Sequence, residues 1–248
     1  MTPSRSKLRI LYLQIRNDDV TCAEELREFA YHSQLNQTQF TILNVFDTPE
    51  FCDRCVDTYD ALFIGGSSDA SVLKPDQYPF VHSAKQLIRH CVDYTIPVFA
   101  SCFGFQLGVE ALGGKVIDDP KQMEMGIYPM QLTDEAYQDP LFADIPNPFL
   151  VVSGHKERAT ELPPQTKLLA FTERCPYHAF KVIDKPFYGF QFHPEVDHHD
   201  LAARITRYQD RYLETDGALQ AILDNLHPTP ESNRLILKFV DRILLQKR

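Results

Sequence analysis

Apolar runs of strand length alternate with segments of helical spacing over the first hundred or so residues, and few folds accommodate that order. Residues 8–15 read as a buried strand, and 40–45, 61–64 and 96–100 as further strands. Between them, 22–32 and about 76–94 carry apolar side chains at helical spacing. Strand, helix, strand, helix is the pattern of parallel βαβ units. Strands this uniformly apolar suit a sheet covered on both faces. The expectation is an α/β fold with a mostly parallel central sheet flanked by helices.

Beyond Gly113 and Gly114 the pattern changes to strands and turns punctuated by Pro and Asp, as far as 187–192. The last 50 or so residues look helical, broken at His227-Pro228-Thr229-Pro230, where two prolines interrupt the spacing. No repeat, low-complexity tract or linker divides the chain. One domain over 1–248 is expected, with a helical C-terminal extension from about 198. The net charge of −9 argues against nucleic acid or an anionic membrane as partner. No apolar run reaches the roughly 18 residues of a membrane span, and the polar start does not read as a secretory signal. Six irregularly spaced cysteines do not form a disulfide framework, so reduced thiols in the cytoplasm are expected.

Two segments carry chemistry. In Ala100-Ser101-Cys102-Phe103-Gly104-Phe105-Gln106-Leu107-Gly108 an apolar strand runs into a helix, with a cysteine at the turn. A sharp strand-to-helix turn exposes a nucleophile, and a helix N-terminus stabilises the attacking thiolate. On spacing alone, a buried cysteine acting as a small hydrophobe is an equal alternative. In Tyr188-Gly189-Phe190-Gln191-Phe192-His193-Pro194-Glu195 a second strand ends at a histidine. A cysteine nucleophile needs a base within hydrogen-bond reach and a group that orients the base. His193 and Glu195 can supply both. Both segments end strands of one α/β sheet, where such folds carry their sites.

These motifs resemble the class I glutamine amidotransferases, and most of all the amidotransferase domain of GMP synthase and its stand-alone relatives. The family's Gly-x-Cys-x-Gly-x-Gln appears at 100–106 with alanine first, and Gln-Phe-His-Pro-Glu is unchanged at 191–195. The strand ending in Gly65-Gly66 matches the family's oxyanion strand. The likeness continues through 111–116, Glu124-Met125-Gly126, 154–158 and 161–163. The resemblance implies that Cys102 attacks the amide carbon of glutamine, giving a γ-glutamyl thioester and ammonia. His193 would move the proton while Glu195 holds the imidazole. Backbone N–H groups of Gly66 and Phe103 would form the oxyanion hole. Gly65, Gln106, Glu124 and Gly126 fall at substrate-binding positions.

Three departures bear on the substrate and partner. Ala100 replaces a glycine, His155-Lys156-Glu157 stands where relatives often have His-x-Asp, and Ser67 stands where GMP synthase usually has proline. The Ser-x-x-Asp-Ala wording of 67–70 is similar to γ-glutamyl peptidases. Two enzymes therefore remain open: a glutaminase feeding a separate synthase subunit, and a stand-alone γ-glutamyl peptide hydrolase. A regulatory homologue without catalysis is a third reading, and the intact triad counts against it. No Gly-x4-Gly-Lys-Ser/Thr loop exists, so no cofactor is expected. Cys52-x-x-Cys55 lacks the second pair of a zinc site and the preceding strand of a thioredoxin motif, and reads as two ordinary cysteines. Asp197-His198-His199-Asp200 reads as a solvated turn, and no metal site is expected. Tyr208, Tyr212 and their charged neighbours read as an amphipathic packing face.

Overall fold

The computed structural model describes residues 4–209 and 217–246. The apolar runs of the first half become β1 (Ile10–Gln14), β2 (Phe40–Asn44), β3 (Ala61–Ile64) and β4 (Val98–Ser101). The second half adds β5 (Lys115–Asp118), β6 (Glu124–Leu132), β7 (Phe149–His155), β8 (Glu157–Glu161), β9 (Thr166–Phe171), β10 (Ala179–Val182) and β11 (Phe187–Phe190). Among the described residues, nine strands form one sheet in the order β2-β1-β3-β4-β11-β10-β9-β6-β7, and β5 pairs with β8 apart from it. From β2 to β11 neighbours run parallel. From β11 to β7 they run antiparallel.

Strands β1, β3, β4 and β11 are buried on both sides, whereas the edge strand β2 is exposed at Thr41 and Ile42. Successive side chains on a strand point to opposite faces. On β1, Ile10 and Tyr12 join one core cluster, while Leu11 and Leu13 join the other. The first core also takes Phe29 from α1 (Asp19–Ser33) and Leu235 from the C-terminal helix. The second takes Leu87 from α2 (Phe80–Asp93) and Phe105 from α3 (Phe103–Ala111). Helix α2 starts later than its spacing suggested, because Pro75 and Pro79 precede it.

The C-terminal helices are α4 (His198–Arg207), α5 (Ala218–Leu223) and α6 (Pro230–Lys238), the last continuing as π-helix through Phe239–Leu245. The expected break falls at the start of α6, where Pro230 needs no N–H partner. Helix α4 docks on α1 through buried Arg204, whose guanidinium lies 2.7 and 2.9 Å from the Glu28 carboxylate. Arg207 pairs with Glu24, and the Tyr208 hydroxyl reaches Asp18 at 2.9 Å. The packing face read from Tyr208 is thus in place; Tyr212 lies outside the described residues.

Candidate active site

Three adjacent parallel strands bring the site together. Strand β4 lies between β3 and β11, with Ser101 opposite Phe190 and Ala100 opposite Ile64. The residues after β3, β4 and β11 therefore emerge side by side at one sheet edge. Cys102 follows β4 directly, and its N–H donates to the Phe190 carbonyl at 2.7 Å. Its backbone takes φ 48° and ψ −98°, a rare conformation for a residue with a side chain, and α3 begins at the next residue. Such strain persists only where the surroundings enforce it. Gly104 allows the tight turn, since a methyl group there would meet Ile64 Cβ at 2.8 Å.

The Cys102 thiol is 5% exposed and lies 3.8 Å from the Gly154 carbonyl. His193, 8% exposed, shares a 2.7 Å hydrogen bond between Nδ1 and Glu195 Oε1. Glu195 is fully buried, and its other oxygen has no hydrogen-bond partner. With Nδ1 engaged, Nε2 is the nitrogen left for the cysteine. Burial by itself would lower the His193 pKa, but the negative charges of Cys102 and Glu195 outweigh it and raise it to about 10. Burial likewise opposes ionisation of Glu195, yet the imidazolium beside it holds the carboxyl below its usual range. Imidazolium and carboxylate thus stabilise each other as a buried ion pair.

Gly66 fits into the gap between these groups. A methyl group on it would lie 3.0 Å from His193 Cε1 and 3.6 Å from Cys102 Cβ. Its N–H, however, donates to Glu25 Oε1 at 3.1 Å. Glu25 is fully buried and gripped by Arg16 Nε and Nη2 at 3.1 and 2.8 Å, with the Tyr12 hydroxyl on its other oxygen. Gly65 must be glycine, because a Cβ would meet the Glu25 carboxylate at 2.6 Å. Its carbonyl accepts from the Gly104 N–H at 3.3 Å. Phe103 N–H, by contrast, is one of the helix-start donors without an intrahelical partner.

A cavity of about 190 Å³ opens on the thiol, walled by Cys102, Phe103, Gln106, Met125, Gly154 and Glu157, among others. Gln106 is buried, and its Nε2 donates to the Glu157 carbonyl at 3.1 Å. It does not face bulk solvent. Burial pushes the Glu157 carboxyl pKa up, and Ser71 donates to it at 2.5 Å. A smaller adjoining cavity shares Ser67, Ser68, Met125 and Gly154 and reaches His193, Val196 and Arg204.

Not every expected site residue reaches this cavity. Glu124 turns away from it and is buried against Thr172, Ser153 and His178 at 2.6, 3.1 and 2.8 Å. Gly126, at φ 134°, packs below Ile222 of α5. The residue between them, Met125, lines both cavities. Two contributors had no sequence signal. Glu25 meets Gly66 across 41 positions. Asn233 of α6 donates to the Pro194 and Val196 carbonyls at 2.8 and 3.0 Å, bracing the His-Pro-Glu turn from outside.

The weaker signals resolve simply. Cys52 and Cys55 are free thiols around a 3-10 turn, Cys52 accepting from the Arg54 N–H. Burial raises the Cys55 thiol to about 11. Asp197 caps α4 by accepting from the His199 and Asp200 N–H groups, although Asp197 and Asp200 also come near His32.

A doubly covered α/β sheet with a thiol, an imidazole and a carboxylate at its strand ends has the layout of a hydrolase-type enzyme. The chain belongs to the family "Glutamine amidotransferase class-I", whose model matches residues 21–209. It is 29% identical over 187 residues to the glutamine-hydrolysing GMP synthase of Streptococcus mutans, covering 75% of this chain and 32% of that protein. It is 36% identical over 121 residues to a glutamine-hydrolysing GMP synthase subunit of Thermococcus kodakarensis, covering 49% of this chain and 62% of that one. The matches thus span less than two thirds of these curated relatives. A glutamine amidotransferase structure from Thermotoga maritima superposes with a TM-score of 0.77 at 19% identity, covering 97% of this chain and 99% of that one. One from Methylobacillus flagellatus gives 0.70 at 18% identity, covering 99% and 97%. Both show the shared fold. No helix among the described residues is long and apolar enough to cross a membrane.

Proposed function

We propose that the chain hydrolyses the side-chain amide of glutamine to glutamate and ammonia. Cys102 is the nucleophile, His193 carries the proton and Glu195 orients His193. The observation that supports this best is the 2.7 Å His193–Glu195 bond behind a thiol that begins a helix. The thiolate adds to the amide carbon, and the carbonyl oxygen becomes an oxyanion. His193 Nε2–H gives its proton to the departing nitrogen, ammonia leaves, and a γ-glutamyl thioester remains. Neutral His193 then takes a proton from water, hydroxide adds to the thioester, and the thiolate leaves as glutamate forms.

Phe103 N–H is the oxyanion donor already at hand. Gly66 N–H becomes the second once its peptide turns away from Glu25. One such donor is worth about 3 kcal/mol in the transition state. Gln106 and Glu157 form the wall against which the glutamine side chain lies. The ammonia goes to a separate synthase partner, and the likeness to proteins named as single subunits of GMP synthase supports this reading. The chemistry requires a reduced thiol, which suits the cytoplasm. A second reading, cleavage of a γ-glutamyl peptide, is favoured by the smaller cavity that reaches His193, which offers room for a larger leaving group.

Glutamate release from glutamine and from a γ-glutamyl dipeptide, compared in the wild type and Cys102→Ser, tests both readings. Cys102-dependent turnover of glutamine, accelerated by an ATP-pyrophosphatase partner, supports the first. Turnover of the dipeptide alone supports the second. If neither substrate turns over and a glutamine-like electrophile leaves Cys102 unmodified, both fail.

A further inference from the structure

At the cavity wall, to which His155 itself belongs, lies a second cluster of reactive side chains that the proposed hydrolysis does not use. His155 ends β7, while Cys175 and His178 sit in the connection from β9 to β10. All three are buried, and one nitrogen of each ring and the Cys175 sulfur lie within 4.8 Å of one another. Buried polar atoms nearly always have partners. Here His155 Nε2 and His178 Nδ1 make no hydrogen bond, and the nearest carboxylate oxygen to His155 Nε2 is Glu124 Oε2 at 3.4 Å.

The other nitrogen of each ring is anchored. His155 Nδ1 lies 3.1 Å from the Glu157 carbonyl, and His178 Nε2 lies 2.8 Å from Glu124 Oε2. Metal-bound histidines show this division: one nitrogen on the ion, the other N–H held by a backbone carbonyl or a carboxylate.

We propose that His155 Nε2, His178 Nδ1 and Cys175 Sγ bind one zinc ion, with Glu124 as the carboxylate that orients His178 and balances charge. Two nitrogens and a thiolate are donors suited to a borderline-soft divalent ion. The ion's double charge is matched by the Cys175 thiolate and the Glu124 carboxylate, so the buried site is neutral overall. Binding requires the thiol proton of Cys175 to leave, together with any proton on His178.

The ion is not part of the hydrolytic chemistry. It clamps the β9–β10 connection to β6 and β7, and thereby the Glu157 carbonyl that Gln106 also uses. The site holds the pocket wall in place.

The test uses full-length protein carrying Cys102→Ser, so that the catalytic thiol cannot bind metal, stripped with a chelator and titrated with zinc or cobalt alone. Expected are one equivalent of zinc bound with proton release, a higher melting temperature, and a thiolate-to-cobalt charge-transfer band. Cys175→Ser removes the band, and Glu124→Gln weakens zinc binding by about 10–100-fold. Circular dichroism checks that each variant is folded, and His155→Gln serves if Cys175→Ser is not. No stoichiometric metal in the folded Cys102→Ser protein overturns the proposal whatever the variants do. So does a cobalt band that survives Cys175→Ser, or a cobalt affinity that His155→Gln leaves unchanged.

Discussion

Two of the fully buried glutamates, Glu195 and Glu124, each hold a histidine, yet their surroundings differ. Glu195 sits behind His193 at 2.7 Å, at the end of the parallel half of the sheet. Glu124 sits on His178 at 2.8 Å, in the antiparallel half. Both carboxyls are held below their usual range against the opposing effect of burial, chiefly by the histidines they meet. Both histidines are raised, to about 10 and about 9, although burial opposes it. Electrostatics alone does not separate them. Access does: His193 lines a cavity, whereas His178 is completely enclosed. A perturbed, paired histidine marks a site for chemistry only where a substrate can reach it.

The sharpest way to break this comparison is to remove the group with access. Cys102→Ser should lower glutamate release on the order of 10⁴–10⁶-fold while leaving the melting curve nearly unchanged. Retained turnover would place the chemistry elsewhere. Next come the two glutamates. Glu195→Gln should reduce kcat by about 10²–10⁴-fold. Glu124→Gln should mainly cost stability, about 3–5 kcal/mol by urea unfolding, because it breaks a buried pair. Equal losses of kcat in both variants would erase the distinction.

The pH dependence sharpens the same contrast. The folded pKa of His193 lies above its ordinary value, so the stability gained from its charge is complete below about 6.5 and disappears as pH rises through about 10. The stability advantage of the wild type over His193→Asn should therefore be large near neutrality and vanish above that point. Turnover should fall over the same alkaline range, as the proton needed by ammonia is lost. An advantage independent of pH would contradict the charged His193–Glu195 pair.

Smaller effects test the supports. Asn233→Ala leaves two carbonyls of the His-Pro-Glu turn without their donor and should cost about 1–3 kcal/mol, with a lower kcat. Cys52→Ser should change neither turnover nor stability measurably, since that thiol is exposed and its one backbone hydrogen bond is replaceable by a hydroxyl.

Strands β1, β3 and β4 were legible because full burial on both faces leaves an apolar run in the chain; β2, at the sheet edge, is exposed at Thr41 and Ile42. Cys102, His193 and Glu195 were legible because each motif lies within a few residues of a strand end. Reading Glu124 and Gly126 as part of the pocket was less accurate. A strand alternates its faces, and Met125 takes the inward position while its neighbours point away. Glu25 and Asn233 could not be found by spacing. Each acts from a helix through a hydrogen bond to a turn far along the chain.

The amino-acid sequence by itself determined the order of strands and helices, the thiol at the start of α3, and the pairing of His193 with Glu195 two residues later. These are short-range consequences of periodicity and turn chemistry. Only the tertiary structure decided that β4 lies between β3 and β11, which sets Gly66, Cys102 and His193 side by side. It also decided that the Gly66 N–H faces Glu25, and that Cys175 and His178 converge on His155 at the pocket wall. Those relations depend on sheet order and side-chain direction, which are settled by burying both faces of the whole sheet at once.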